Sequence, residues 1–373
     1  MKYQKFIFLG IFIVAFVIVY GQPIAYPMYS SPLKAPATQS IKSTNLTYET
    51  IPTSGFANYI GKKLEAIQAV YGEPVETIST GYSYTISIFR ATESSSYMEV
   101  STIDQKIVGI KVIDPKNDAV APFSNGMTMS QLTKITMIYP NFQLKYENQY
   151  VDIELSEEDM NYRPLIGFEN GTFLILFFDQ SSSKLYSMMY LSEELLLKLV
   201  PYTMTGEVLP DFVEQHNVDW TTIDHQKVDL ASNTLKILRK REKLTVYQPN
   251  TTLQAKANHI LAEFLTHPED TLTTQRVQLM QRSIAGQESD HFILTDEEIS
   301  GLLQANALTQ SSGYLEMPVI DPTFTILSWY SNSFLHQKYM QEKEESLGVA
   351  FSKETMLVLL QEKQTTSKES NEP

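Results

Sequence analysis

GKKLEAIQAVYGEP (Gly61 to Pro74) sets Leu64, Ile67, Val70 and Tyr71 at helical spacing and then stops at Gly72 and Pro74, which predicts a helix closed by a turn. MTMSQLTKITMIYPN (Met127 to Asn141) repeats the pattern with Leu132, Ile135, Ile138 and Tyr139, and ends at Pro140-Asn141. The four positions recur at one constant offset, so the chain contains an internal repeat.

Strands are predicted after each helix. YSYTISIF (Tyr82 to Phe89), YMEVSTI (Tyr97 to Ile103) and KIVGIKVI (Lys106 to Ile113) are rich in β-branched and aromatic residues, with Asp104-Gln105 as a hairpin turn. The second copy offers TFLILFF (Thr172 to Phe178), a turn at Asp179 to Ser183, and KLYSMMYL (Lys184 to Leu191). A repeat of helix plus β-meander buries its core by pairing two sheets or by packing each helix on its own sheet. Most of its Tyr, Phe and Met residues belong in such cores; those left exposed would serve recognition of protein or sugar faces.

Composition narrows the function. A length of 373 residues exceeds the usual size of one hydrophobic core, and 43% apolar residues are enough to build two. The net charge of −14 argues against nucleic acid and gives no attraction to anionic lipid headgroups. The chain has no Cys, which removes disulfides, thiolate metal sites and thiol nucleophiles.

The N-terminus reads as an export element. Lys2 and Lys5 precede an uncharged run from Phe6 to Tyr20, the layout of a signal peptide or an uncleaved membrane anchor over residues 1–21. Either form leaves the bulk of the chain outside the membrane, single-pass or secreted after cleavage. Residues 22–54, opening with PIAYPMYSSPLKAPATQS, are rich in Pro, Ser and Thr and read as an extended tether. The polar tail over residues 363–373 reads as disordered.

The GKKLEAIQAVYGEP helix, the Tyr-bearing strand, the DQKIVGIKVI hairpin and NGMTMSQL (Asn125 to Leu132) together resemble the CAP-associated N-terminal domain of Gram-positive envelope proteins, over residues 55–202. That resemblance implies a connector (residues 203–233) and then a CAP domain, the cysteine-rich secretory and pathogenesis-related fold, over residues 234–362. Arg239, Leu244, Pro249, Leu253 and Ala257 fit the opening of such a domain. SWYSNSFLH (Ser328 to His336) is similar to the family's Trp-x-Asn-Ser-Pro-Gly-His, and SLGVAFSKETMLVLLQ (Ser346 to Gln361) to its closing hairpin.

The family's cavity residues are largely replaced. Ile260 to Phe264 stand where the family has His-Ser-x-Asp-Met, with His259 one residue early. Ser312 to Glu316 reads SGYLE in place of Gly-Glu-Asn, so the Glu is lost unless the register slips to Glu316. His336 is kept, but Phe334-Leu335 replaces Pro-Gly. Many family members place two His and two acids in this cavity, a set suited to a divalent cation. One His and a displaced Glu cannot supply it, so no metal, no cofactor and no catalytic residue is expected.

The expectation is therefore an α+β protein: a duplicated helix-plus-meander domain, then a degenerate CAP-like α/β/α sandwich, behind an N-terminal anchor helix. It would bind another envelope protein or a cell-wall glycan, not nucleic acid, and would touch the membrane through its N-terminal segment alone. The candidate ligand-binding residues are His336, Glu316 and His267. The rival readings are a CAP-domain hydrolase acting on a peptide or wall substrate, and a structural spacer. No Gly-x-Ser-x-Gly elbow, phosphate loop or His-Glu-x-x-His motif nominates a catalyst. The acidic SEEDMNYR (Ser156 to Arg163) lacks the ligand spacing of a calcium loop and reads as a solvated loop.

Overall fold

TFLILFF is apolar at nearly every position, and both it and YMEVSTI are buried at successive positions, as strands are when both faces of their sheet are covered. The computed structural model describes residues 48–90, 97–206, 209–284, 291–308, 310–343 and 345–362. It opens with β1 (Thr50–Ile51), α1 (Glu65–Tyr71) and the meander β2 (Glu76–Ser79), β3 (Thr85–Arg90), β4 (Tyr97–Ile103) and β5 (Lys106–Ile113). Helices α2 (Asn117–Val120) and α3 (Met129–Leu132) lead to the hairpin β6 (Asn141–Tyr146) and β7 (Gln149–Glu154). After α4 (Glu157–Tyr162) come β8 (Leu165–Phe168), β9 (Thr172–Phe178), β10 (Leu185–Ser192), α5 (Glu193–Leu199) and β11 (Thr203–Thr205).

The two meanders do not stack as separate sheets. They join edge to edge in one eight-stranded sheet of order β1-β8-β9-β10-β5-β4-β3-β2. The last strands of the two copies, β5 and β10, run antiparallel at its middle with Met189 opposite Lys111. Joining this way removes two open strand edges. One face packs beneath Phe56, Ile67 and Leu132, the other faces the C-terminal half, and Phe177, Tyr186, Met188, Met189 and Tyr190 are fully buried between them. The aromatic and Met content of these strands is core.

Local expectations shift where packing overrides spacing. Ile67 is buried, but Val70 and Tyr71 of α1 are 63% and 42% exposed. The second helix ends at Leu132, because Thr133, Ile135, Thr136 and Ile138 are β-branched and Pro140 follows. SEEDMNYR is α4, with a capping box in which Ser156 and Asp159 satisfy each other's backbone N–H. Within the expected tether, β1 pairs with β8, and Tyr48 packs 4.7 Å from the Phe142 ring. The span read as an anchor and the C-terminal tail lie outside the described residues, among which no helix is long and apolar enough to cross a membrane.

The C-terminal half comprises α6 (Trp220–Arg241), β12 (Gln248–Pro249), α7 (Thr251–Thr266), α8 (Thr274–Ile284), β13 (Phe292–Ile293), α9 (Asp296–Ala305), β14 (Ser311–Met317), α10 (Pro322–Tyr330), α11 (Ser333–Tyr339), β15 (Glu345–Ser352) and β16 (Thr355–Glu362). Asp219 caps α6, which runs unbroken across the expected 233/234 boundary. The five strands order as β12-β15-β16-β14-β13. Side chains alternate across this sheet: Leu315, Met317 and Leu357 pack against Ile260, Phe264 and Leu302. Tyr314, Val349 and Val358 point the other way, to Leu235, Leu238 and Trp329.

That second core is continuous with Ile86, Ile88, Phe177 and Tyr186 of the eight-stranded sheet, so the halves share one apolar interior. At one margin Gly81, with φ at +83°, lets the Trp220 ring approach; a Cβ there would lie 2.2 Å from it. At the centre is a buried cation. Lys111 on β5 lies 2.7 Å from Glu99 on β4 and also contacts both carboxylate oxygens of Asp321, the residue that caps α10. Tyr84 donates to Asp321 at 2.6 Å and Thr323 to Glu99 at 2.7 Å. Burial alone would lower the Lys111 pKa, but Asp321 and Glu99 outweigh it and the net shift is upward.

Replacing Lys111 by Ala strands two carboxylates in this interior. Urea denaturation of K111A should show a loss of about 3–5 kcal/mol, the usual cost of breaking a buried pair. A loss of under about 1 kcal/mol, typical of surface pairs, would contradict a buried cation at this position.

Candidate functional site

SWYSNSFLH straddles the end of α10 and the start of α11, where Asn332 caps α11 by accepting from the Leu335 N–H at 3.0 Å. Each residue after Ser328 then finds a partner. Trp329 donates its indole N–H to Glu316 at 2.8 Å and stacks on Tyr339 at 5.1 Å, with Tyr314 edge-on at 5.0 Å. Ser331 donates to the Phe178 carbonyl at 3.1 Å and accepts from Gln180 at 2.6 Å. The Ser333 N–H donates to Glu158 at 2.9 Å. Phe178, Gln180 and Glu158 belong to the eight-stranded half, so this motif works as a latch between halves.

Tyr330 extends the latch into a charged cluster. Its hydroxyl lies 2.7 Å from Asp179 and also contacts Glu242, while Arg241 reaches Asp179 at 3.0 Å and Asp114 at 3.2 Å. Burial alone would raise the Asp179 pKa; hydrogen bonds from Ser181, the Ser182 N–H and Tyr330 reverse this and hold the carboxyl well below its ordinary 3.8. Burial raises the Glu242 carboxyl.

The three candidate ligand residues have separate polar partners. His336 is half-buried, donates from Nδ1 to the Tyr330 carbonyl at 2.9 Å and packs 4.8 Å from the Tyr330 ring. Glu316 is 6% exposed and meets His291 Nδ1 at 2.6 Å with its second carboxylate oxygen. His267 ends α7 before Pro268, its side chain 57% exposed and 3.5 Å from Glu269. Among the described residues, no hydrogen bond joins any two of the three, and no cluster of three or more His, Asp or Glu could hold a metal ion. Where the family has His-Ser-x-Asp-Met, Ile260, Leu261 and Phe264 fill the core.

His291 is the residue that sequence reading missed. It becomes Glu316's neighbour because β13 pairs with β14, with Ile293 opposite Glu316, and no sequence spacing signals that pairing. His291 also lines a crevice of about 300 Å³ together with Ser283, Tyr82, Thr325 and Glu354. A second depression, a groove of about 1030 Å³, runs between α6 and α7.

Residues 60–202 match the model of the CAP-associated N-terminal family and form such a domain. An uncharacterised membrane protein of Bacillus subtilis, YlbC, is 27% identical over 205 residues, 53% of this chain; the match spans 58% of that protein. The crystal structure of a cysteine-rich secretory protein from Staphylococcus aureus superposes with a TM-score of 0.62 at 20% identity, covering 85% of this chain and 98% of that one. An extracellular protein containing an SCP domain from Bacillus anthracis superposes with a TM-score of 0.63 at 17% identity, covering 87% and 100%. The mixed α/β fold of this chain is thus similar to the folds of these two SCP-type proteins.

The Asp179 cluster has a pH signature. A carboxyl with a depressed folded-state pKa contributes stability above its ordinary 3.8 and loses it as pH falls through the lower folded-state value. Thermal melts taken stepwise below pH 4 should show a decline that is shallower in D179N, which keeps the Oδ1 acceptor but does not titrate. Parallel declines would contradict the assignment.

Proposed function

We propose that this chain is a membrane-tethered, outward-facing, non-catalytic binding protein of the bacterial envelope, recognising another envelope protein or a cell-wall glycan. The observation that carries this reading is the fate of the cavity positions. His336 is turned onto a backbone carbonyl, Glu316 is held by Trp329 and His291, and Trp329 is itself packed between the Tyr314 and Tyr339 rings. The tether is supported by the Lys-flanked apolar run at residues 1–21 and by the name of the Bacillus subtilis relative, a membrane protein. The outward placement is supported by the secretory and extracellular descriptions of the structural relatives.

A hydrolase is a second reading, favoured by one observation: a Glu-held imidazole beside a crevice that Ser283 also lines. The two readings separate in one pair of experiments. Crosslinking of the full chain in living cells should recover a defined protein or wall fragment, and purified protein should leave wall material and model peptides uncleaved. Turnover that disappears in H291A would overturn the non-catalytic reading. Absence of any crosslinked partner would overturn the binding reading in favour of a spacer.

A further inference from the structure

We propose that the groove between α6 and α7 binds a neutral, hydroxyl-rich oligosaccharide; this rests on the binding reading above and gives it a site. One wall is a single stripe of α6 running from Thr221 through His225, Val228 and Ser232 to Lys236, at spacings of three and four. That is four turns, or about 22 Å of helix. Thr251, Gln254 and Asn258 of α7 face it, and Tyr247, Pro249, Leu347 and Phe351 lie between. The volume of about 1030 Å³ is that of a large ligand site.

The groove's chemistry selects among ligands. Ser232 and Asn233 are half-buried and line the groove, and their side chains hydrogen-bond to no other protein group among the described residues. Half-buried polar groups of this kind offer paired donors and acceptors to a ligand. Asp229 is paired with His225 at 3.3 Å, Asp224 accepts from the Lys353 N–H at 3.0 Å, and Lys236 adds one opposing charge, so no strong field of one sign demands an ion. Val228, Pro249 and Leu347, spaced between the polar groups, suit the C–H faces of sugar rings.

A peptide fits less well. Extended peptides bind by adding a strand to an open edge. The edge strand here is β12, two residues long, and Pro249 has no N–H to offer. Strand addition is thus closed here, whereas a glycan's hydroxyls can pair with the groove's side chains.

The test is isothermal titration of the full chain in lipid nanodiscs with two probes, hexa-N-acetylglucosamine and cellohexaose. At least one should bind, and N233A and N258A, on opposite walls, should each weaken it by roughly tenfold, the loss of about one hydrogen bond. Y150A, on an exposed position of the eight-stranded half, should leave affinity unchanged. Circular dichroism melts check that the variants fold. Binding that survives N233A combined with N258A, or that is lost in Y150A, overturns the groove assignment. If neither sugar binds at millimolar concentration but crosslinking recovers a protein, the glycan is overturned and the binding reading stands; if crosslinking also recovers nothing, both fall.

Discussion

One ammonium group organises the molecule. Lys111 sits in the middle strand of a sheet covered on both faces, where an unpaired charge would cost several kcal/mol. Its two partners come from different halves of the chain: Glu99 from the neighbouring strand, and Asp321 from the N-cap of α10. Pairing a buried charge stabilises little beyond what a well-packed apolar residue would, so its consequence here is orientation. With Asp321 held, the start of α10 is fixed against the sheet. The far end of the same helix carries Trp329 and Tyr330 to the latch.

That constraint brings the end of α10 against the eight-stranded half. The face of the C-terminal half bearing α6 and α10 is covered by the eight-stranded sheet, and the polar groups at the end of α10 are spent on the junction. Tyr330 joins Asp179, Ser331 joins Phe178, and His336 turns back to Tyr330. The crevice beside His291 and the groove between α6 and α7 stay accessible at the rim. A surface that recognises a partner can sit there without disturbing the shared core.

Much of this was legible in the sequence. The helix-turn signals at Gly61 and Met127 located α1 and α3, and SLGVAFSKETMLVLLQ located the β15–β16 hairpin. Local periodicity, however, carries no information about which strand edges meet, so the joining of β5 to β10 and the approach of His291 to Glu316 were invisible. The helix around Ile135 was over-read for a related reason: spacing matched, while β-branched residues and tertiary packing ended it at Leu132. Lys111 lay in plain view in KIVGIKVI as an ordinary strand charge. Its burial depends on Asp321, more than two hundred residues away in the chain.

The central claim is that the two halves open as one body around Lys111. Native-state hydrogen exchange of the full chain tests it most directly, by comparing the amides of β5 with those of α10 across increasing denaturant. The structure predicts that both segments exchange through the same opening, with the same free energy, and that K111A lowers both together. Exchange of α10 at a distinctly lower free energy than β5, unaffected by K111A, would show that the halves open independently and contradict it.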